Sequence, residues 1–185
     1  MSDPGDVTRD LALYADGDRA AGERVLNAVS AELRELAARA MRHARKGHTL
    51  QPTALVHEAW LRLAKGAPRP AKGRAHLLAL AATAMRSILV DHARRRCADK
   101  RAGGARLTLD AVDVGVIDRS ETLLSIDDEL RALAGVDGEL ARIVELRFFG
   151  GLSIDETAAA MDVSTPTVER GWRTARAWLA ARLKP

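Results

Sequence analysis

Five histidines, one cysteine and a threonine at a helix start are the residues of this chain that could do chemistry. His43, His48, His57, His76 and His92 do not fall at metal-ligand spacing. Cys97 has no second cysteine, which excludes an internal disulfide, suits a reducing cytoplasm and reads as an inert helix residue. Gly103-Gly104 lacks the G-x-x-x-x-G-K-S/T frame of a phosphate loop. No serine sits in a nucleophile elbow. Asp127-Asp128 reads as an acidic pair that favours a helix dipole. The reading is of a protein that is not an enzyme and holds no metal or cofactor. What remains is anion and base recognition. Thr53 opens the helix in "HTLQPTALVHEAWLRL", and no acidic residue lies between Arg45 and that helix.

The other chemistry-bearing cluster is in "GLSIDETAAAMDVSTPTVERGWRTARAWLAARL", residues 151–183. Ser153 followed by Glu156 is a capping box that predicts a short helix ending near Met161. "DVS" is a tight turn. Pro166 disfavours helix at Thr165, which makes Thr165 the expected N-cap and Pro166 the first helical residue. Short helix, three-residue turn and longer helix form a helix-turn-helix pattern. On the longer helix Val168, Trp172, Ala175, Leu179 and Leu183 share the apolar face. Arg170 and Arg173 lie opposite, Thr174 lies nearby, and Thr165 and Thr167 stand at the tip. Arginine pairs with guanine or phosphate, and threonine contacts bases or phosphate. Trp172 reads as core; Trp178 lies at the edge.

The elements that must position these residues are helices. Aromatics are 3% of the chain, Ala and Leu dominate, and period-two strand runs are missing. Helical spacing predicts segments at Val7–Tyr14, Asp18–Lys46, from Pro52 onward, Ala75–Arg101, Thr122–Ala134 and Asp137–Phe149. "KGAPRPAKGR" (65–74) is a basic loop. In the long helix Leu77, Ala81, Ala84 and Ile88 form the expected buried stripe, with Arg86 pointing away from it. Residues 102–121 read as a linker. The N-terminus has no apolar core for a signal peptide, and no apolar run is long enough to span a bilayer. The expected location is cytoplasmic.

The net charge of +4 conceals segregation. Residues 34–106 carry 17 Lys and Arg against four acids. Residues 107–166 carry four Arg against 13 acids, and residues 167–185 five basic residues against Glu169. Two basic surfaces facing nucleic acid are expected, as against ordinary solvated helix faces. The acidic 107–130 stretch is also placed to fold back on the basic helix and hold the free protein closed.

Order and spacing of these features resemble bacterial RNA polymerase sigma factors of the extracytoplasmic-function (ECF) type, over nearly the whole chain. "HEAWLRL" and "LLALAATAMRSILVDHARRR" look like region 2 of that family, and "IVELRFFGGLSIDETAAAMDVSTPTVERGWRTARAWL" looks like region 4. The resemblance implies an all-α chain of two small helical domains: a region 2 bundle over 1–101 and a region 4 helix-turn-helix over 122–185, joined by a flexible linker at 102–121. It implies core RNA polymerase (clamp and flap) and promoter DNA as partners, with an anti-sigma factor as a further candidate and no membrane. Region 4 would read the minus-thirty-five element through Thr165, Thr167, Arg170, Arg173 and Thr174. Region 2 would melt and bind the minus-ten element through Arg74, His76, Arg86, Arg94, Arg95 and Arg96. His76 stands where the family often has tryptophan. A stand-alone helix-turn-helix regulator, or an adaptor mimicking a sigma domain, are the competing readings.

The clamp-binding segment departs from the family. Where the family resembles D-A-E-D-L-V-Q-E-x-F-L-x-L, this chain reads Q-P-T-A-L-V-H-E-A-W-L-R-L. Gln51, Thr53 and Ala54 replace three acids, and Glu58 keeps its place. Two readings follow. In one, a Ser/Thr kinase phosphorylates Thr53, with Thr49 in reserve, and restores the missing negative charge. In the other, Thr53 only helps start the helix, and the contact is rebuilt from Glu58 and apolar surface.

Overall fold

A computed structural model describes residues 4–41, 50–66, 71–102 and 119–183. These residues form helices α1 (Pro4–Ala15), α2 (Arg19–Met41), α3 (Pro52–Gly66), α4 (Arg74–Ala102), α5 (Arg119–Val136), α6 (Gly138–Val144), α7 (Ile154–Met161) and α8 (Thr165–Arg182). A π-helical turn, Glu145–Phe149, follows α6 directly. No strand occurs among the described residues, so the all-α expectation is met. Thr49, residues 67–70 of the basic 65–74 loop, the segment after Met41 expected to continue α2, and linker residues 103–118 lie outside the described residues.

The elements form where their sequences direct. The Asp18 carboxylate accepts the Ala21 N–H at 3.1 Å and starts α2. α2 then buries Val25, Val29, Leu33 and Leu36 at helical spacing. Pro52 is the first residue of α3, where its missing N–H costs nothing. Leu55, Val56 and Ala59 of α3 are buried, and Trp60 stacks on Tyr14 of α1 with ring centroids 5.9 Å apart.

α4 is the axis of the molecule. It packs against α1, α2 and α3, and also against α5, the π turn and α7. Its burial is correspondingly wide: Leu77, Ala79, Ala81, Ala82, Met85, Ile88, Leu89 and Val90 are all buried. A single stripe was expected; a helix covered by neighbours on several sides is apolar over more of its circumference. One core therefore runs from Val7 in α1 to Ala175 in α8, through Met85, Leu130 and Phe149. The two halves expected as separate domains share that core. A satellite cluster of Ile143, Ala158 and Val168 holds α6, α7 and α8 together.

The turn after Phe149 fits closely against α4. A Cβ on Gly150 would stand 2.6 Å from the Leu146 carbonyl oxygen and 3.0 Å from the Ala82 Cβ. Gly151 adopts φ +61°, the left-handed region that favours glycine. Its carbonyl accepts a hydrogen bond from Arg39 of α2 at 2.9 Å. Because the obstruction at Gly150 is backbone, Gly150→Ala should destabilise the protein by about 1–3 kcal/mol. Denaturant unfolding followed by circular dichroism measures this; an unchanged midpoint would refute the close fit.

Candidate polymerase and nucleic-acid interfaces

Three surfaces carry the residues singled out in the sequence. The first is the start of α3. No acid occupies its first turn. Gln51, Thr53 and Ala54 are exposed there, and the Gln51 carbonyl accepts the Leu55 N–H at 3.0 Å. Unpaired N–H groups and the helix dipole favour an anion at such a terminus. Glu58 is half-buried and lies 3.7 Å from Arg62, which pairs more closely with Asp91 of α4, at 2.9 Å. Sequence reading missed Leu61, a large apolar residue left 56% exposed. Its i+4 spacing from exposed His57, and that residue's from Thr53, was the available signal.

The second surface is α4. Arg74 forms an ion pair with Glu32 of α2. His76 is half-buried, and its Nδ1 accepts the Lys72 N–H at 3.0 Å. Burial lowers the His76 pKa, and the nearby charges of Arg142 and Lys72 lower it further. Arg94 and Arg95 are exposed and Arg96 is half-buried. Arg95 also donates to the Asp91 carbonyl at 3.3 Å.

Arg86 does not face solvent. It is 17% exposed and lies between α4 and the C-terminal half. Its Nε and Nη2 donate to Asp127 Oδ1 of α5 at 3.1 and 2.6 Å. Its Nη1 donates to Glu145 Oε1 of the π turn at 2.8 Å, and its guanidinium covers the Phe149 ring at 5.3 Å. Arg94 reaches Asp127 Oδ2 at 3.2 Å, as does Arg131. Arg142 donates to Glu145 Oε2 at 2.6 Å and also to the Thr83 hydroxyl. That hydroxyl lies 3.2 Å from the same carboxylate. Asp127 is therefore no helix-start acid. It sits well inside α5, 2% exposed, because the α4 arginines give its charge a buried partner. The spacing of four from Asp127 to Arg131 was the one local signal, and the burial was not legible because Arg86 is 41 residues away.

The third surface is the helix-turn-helix. The capping box forms as expected: Ser153 Oγ accepts the Glu156 N–H at 3.0 Å, and Glu156 Oε2 accepts the Ser153 N–H at 2.6 Å. α7 ends at Asp162, in the left-handed conformation with φ 58°. The N-cap of α8 is Ser164, at φ −75° and ψ 149°, rather than Thr165. Thr165 is already helical, which a following proline permits in a first turn whose N–H groups need no helical partner. The Thr165 hydroxyl donates to Asp155 Oδ1 at 3.2 Å, and those of Thr167 and Ser164 lie 2.8 Å apart. The Thr174 hydroxyl is turned back to the Arg170 carbonyl at 3.1 Å. Arg170 and Arg173 are exposed on the outer face, opposite buried Val168 and Ala175.

Trp172 lies partly buried beneath Arg147, 5.2 Å from the guanidinium carbon to the ring, and Trp178 packs at the core edge under Arg182. Sequence reading also missed Gly171. It is buried, and a Cβ there would overlap Ile143 of α6. A mid-helix glycine costs about 1 kcal/mol against alanine, which was the signal of a close approach.

Fold and surfaces together define an all-helical protein that presents a capped helix-turn-helix on a helical bundle and has two strongly basic helices. The family model of ECF sigma factors matches residues 4–185, and the chain belongs to that family. It is a transcription initiation factor whose partners are core RNA polymerase and promoter DNA. No curated protein matches the chain. No helix among the described residues is long and apolar enough to cross a membrane.

The environment of His76 generates a pH dependence. Its folded pKa lies below the ordinary value, so the native state favours the neutral ring. The stability this contributes is fully present above about pH 6.5, and it is lost as pH falls toward the depressed folded value. Lowering pH from about 7.5 to about 5.5 should reduce the melting temperature less in His76→Gln than in the unaltered protein. Equal reductions would remove His76 as the source.

Proposed function

We propose that residues 1–101 dock on the polymerase clamp and melt the minus-ten element, while residues 122–185 read the minus-thirty-five element across the 102–121 linker. Docking is controlled by phosphate on Thr53. The observation that carries the reading is the start of α3: an exposed hydroxyl in a first turn that holds no acid. The N–H groups and dipole of that turn favour a dianion. A phosphate there returns negative charge to the position where the family's clamp-binding segment is acidic. A Ser/Thr protein kinase is the partner this reading requires, and Thr49 is its second candidate site. The exposed Leu61 supplies apolar contact beside it. An anti-sigma factor remains a candidate partner with no surface assigned to it.

For DNA, Arg170 and Arg173 on the outer face of α8 and Thr165 and Thr167 at its tip enter the major groove. Thr174 contributes its methyl group, since its hydroxyl is bonded to its own helix. Arg74, His76, Arg94, Arg95 and Arg96 serve the melted strand through phosphate contacts and stacking, and Arg86 joins them only once Asp127 and Glu145 release it.

Run-off transcription with purified core enzyme tests the switch. Thr53→Asp should exceed Thr53→Ala by about tenfold, the equivalent of one charge-assisted hydrogen bond of about 1.5 kcal/mol. Equal transcription from the two variants would leave Thr53 with only its helix-starting role. Separately, Arg173→Ala should weaken promoter duplex binding by about 1–3 kcal/mol if it pairs with a base. A uniform, smaller loss on all sequences, seen in fluorescence anisotropy, would reassign it to phosphate.

A further inference from the structure

We propose that Asp127 and Glu145 are an internal stand-in for nucleic-acid phosphate: they neutralise Arg86 and Arg94 of α4, hold the two halves of the free protein together, and must be displaced before α4 meets DNA. The part concerning DNA rests on the reading of Arg86 and Arg94 as strand-binding residues; the closure itself does not.

Three observations carry it. First, both carboxylates are buried at the junction of the halves. Asp127 and Glu145 come from α5 and the π turn, and the cations they meet across the junction, Arg86 and Arg94, come from α4. Second, the network carries more cation than anion. Arg86, Arg94, Arg131 and Arg142 surround two carboxylates, so the network as a whole keeps a positive balance that attracts further negative charge. Third, the network is reachable. A cleft of 290 Å³ opens beside it, lined by Arg86, Arg94 and Arg131 together with Asp91, Asp127 and Glu145. A competing anion has a route in.

The energetics suit a reversible closure. Buried ion pairs add little net stability, because the attraction is offset by lost hydration. Opening returns every charge to water, and the apolar contacts that Leu130 and Phe149 make in the shared core are what oppose it. Removing one partner is different, since it leaves a guanidinium uncompensated in the closed form only. Neutralising the carboxylates should therefore shift the population toward the open form. Thr53, at the N-terminal tip of α3, is exposed while Arg86 of α4 is covered. Polymerase docking and strand binding thus become separable steps, with closure broken between them.

The experiment uses the purified full chain and two double variants. Asp127→Asn with Glu145→Gln strikes the network. Asp128→Asn with Glu139→Gln removes the same charge from exposed positions nearby and serves as control. Small-angle scattering reads closure; a compact chain of this length has a radius of gyration of about 16 Å. The network variant is expected to expand by several ångströms, and the control to match the unaltered protein. Anisotropy with a labelled oligothymidine, without polymerase, should then show the network variant binding several-fold tighter than the control. No expansion of the network variant overturns the proposal. Expansion with oligothymidine binding equal to the control leaves the closure standing and overturns the strand-binding reading of Arg86 and Arg94. Helical circular dichroism checks folding; if the double variant loses it, Asp127→Asn alone, which leaves Glu145 on Arg86 and Arg142, carries the same comparison.

Discussion

The arginine at the middle of α4 organises the structure. A guanidinium held 17% exposed beside Phe149 requires negative charge around it, and the carboxylates come from the other half of the chain. Asp127 and Glu145 satisfy Arg86 from two elements, α5 and the π turn, so they set how both lie on α4. The π turn has a part in this. Its wider winding begins at Glu145 and brings Leu146 and Phe149 into the core within the same five residues.

Apolar packing reinforces the same junction. Gly150 leaves no room for a side chain against Ala82, and Arg39 of α2 ties down the Gly151 carbonyl. Helix α4 thus serves two sides: the bundle of α1 to α3 and the stack of α5 to α8. A sigma factor must hold the polymerase and touch two promoter elements. The α3 start and the outer face of α8 remain at the surface, while Arg86 of α4 faces its own chain.

Much of the candidate site was legible in the sequence. The Ser153–Glu156 box, the Pro52 and Pro166 helix starts and the apolar face of α8 all follow from interactions within a few residues, where spacing alone decides geometry. The two misreadings differ in cause, one local and one tertiary. Thr165 was assigned as N-cap from the proline rule, but the extended backbone lies one residue earlier, at Ser164. Arg86 was assigned to solvent from its offset to a single apolar stripe, yet α4 has no such single stripe, because neighbours cover it on several sides.

By itself, the sequence determined the helical class, the capped helix-turn-helix, Thr53 in an acid-free first turn and the segregation of basic and acidic blocks. Each of these depends on composition or on side chains within a turn of one another. Only the tertiary structure decided which acid meets which arginine. Asp127 and Glu145 lie 41 and 59 residues from Arg86. Helical periodicity states which way a side chain leaves its own axis, not which charge waits on the helix that packs there. The contact of buried side chains from both halves in one cluster follows from the same long-range packing.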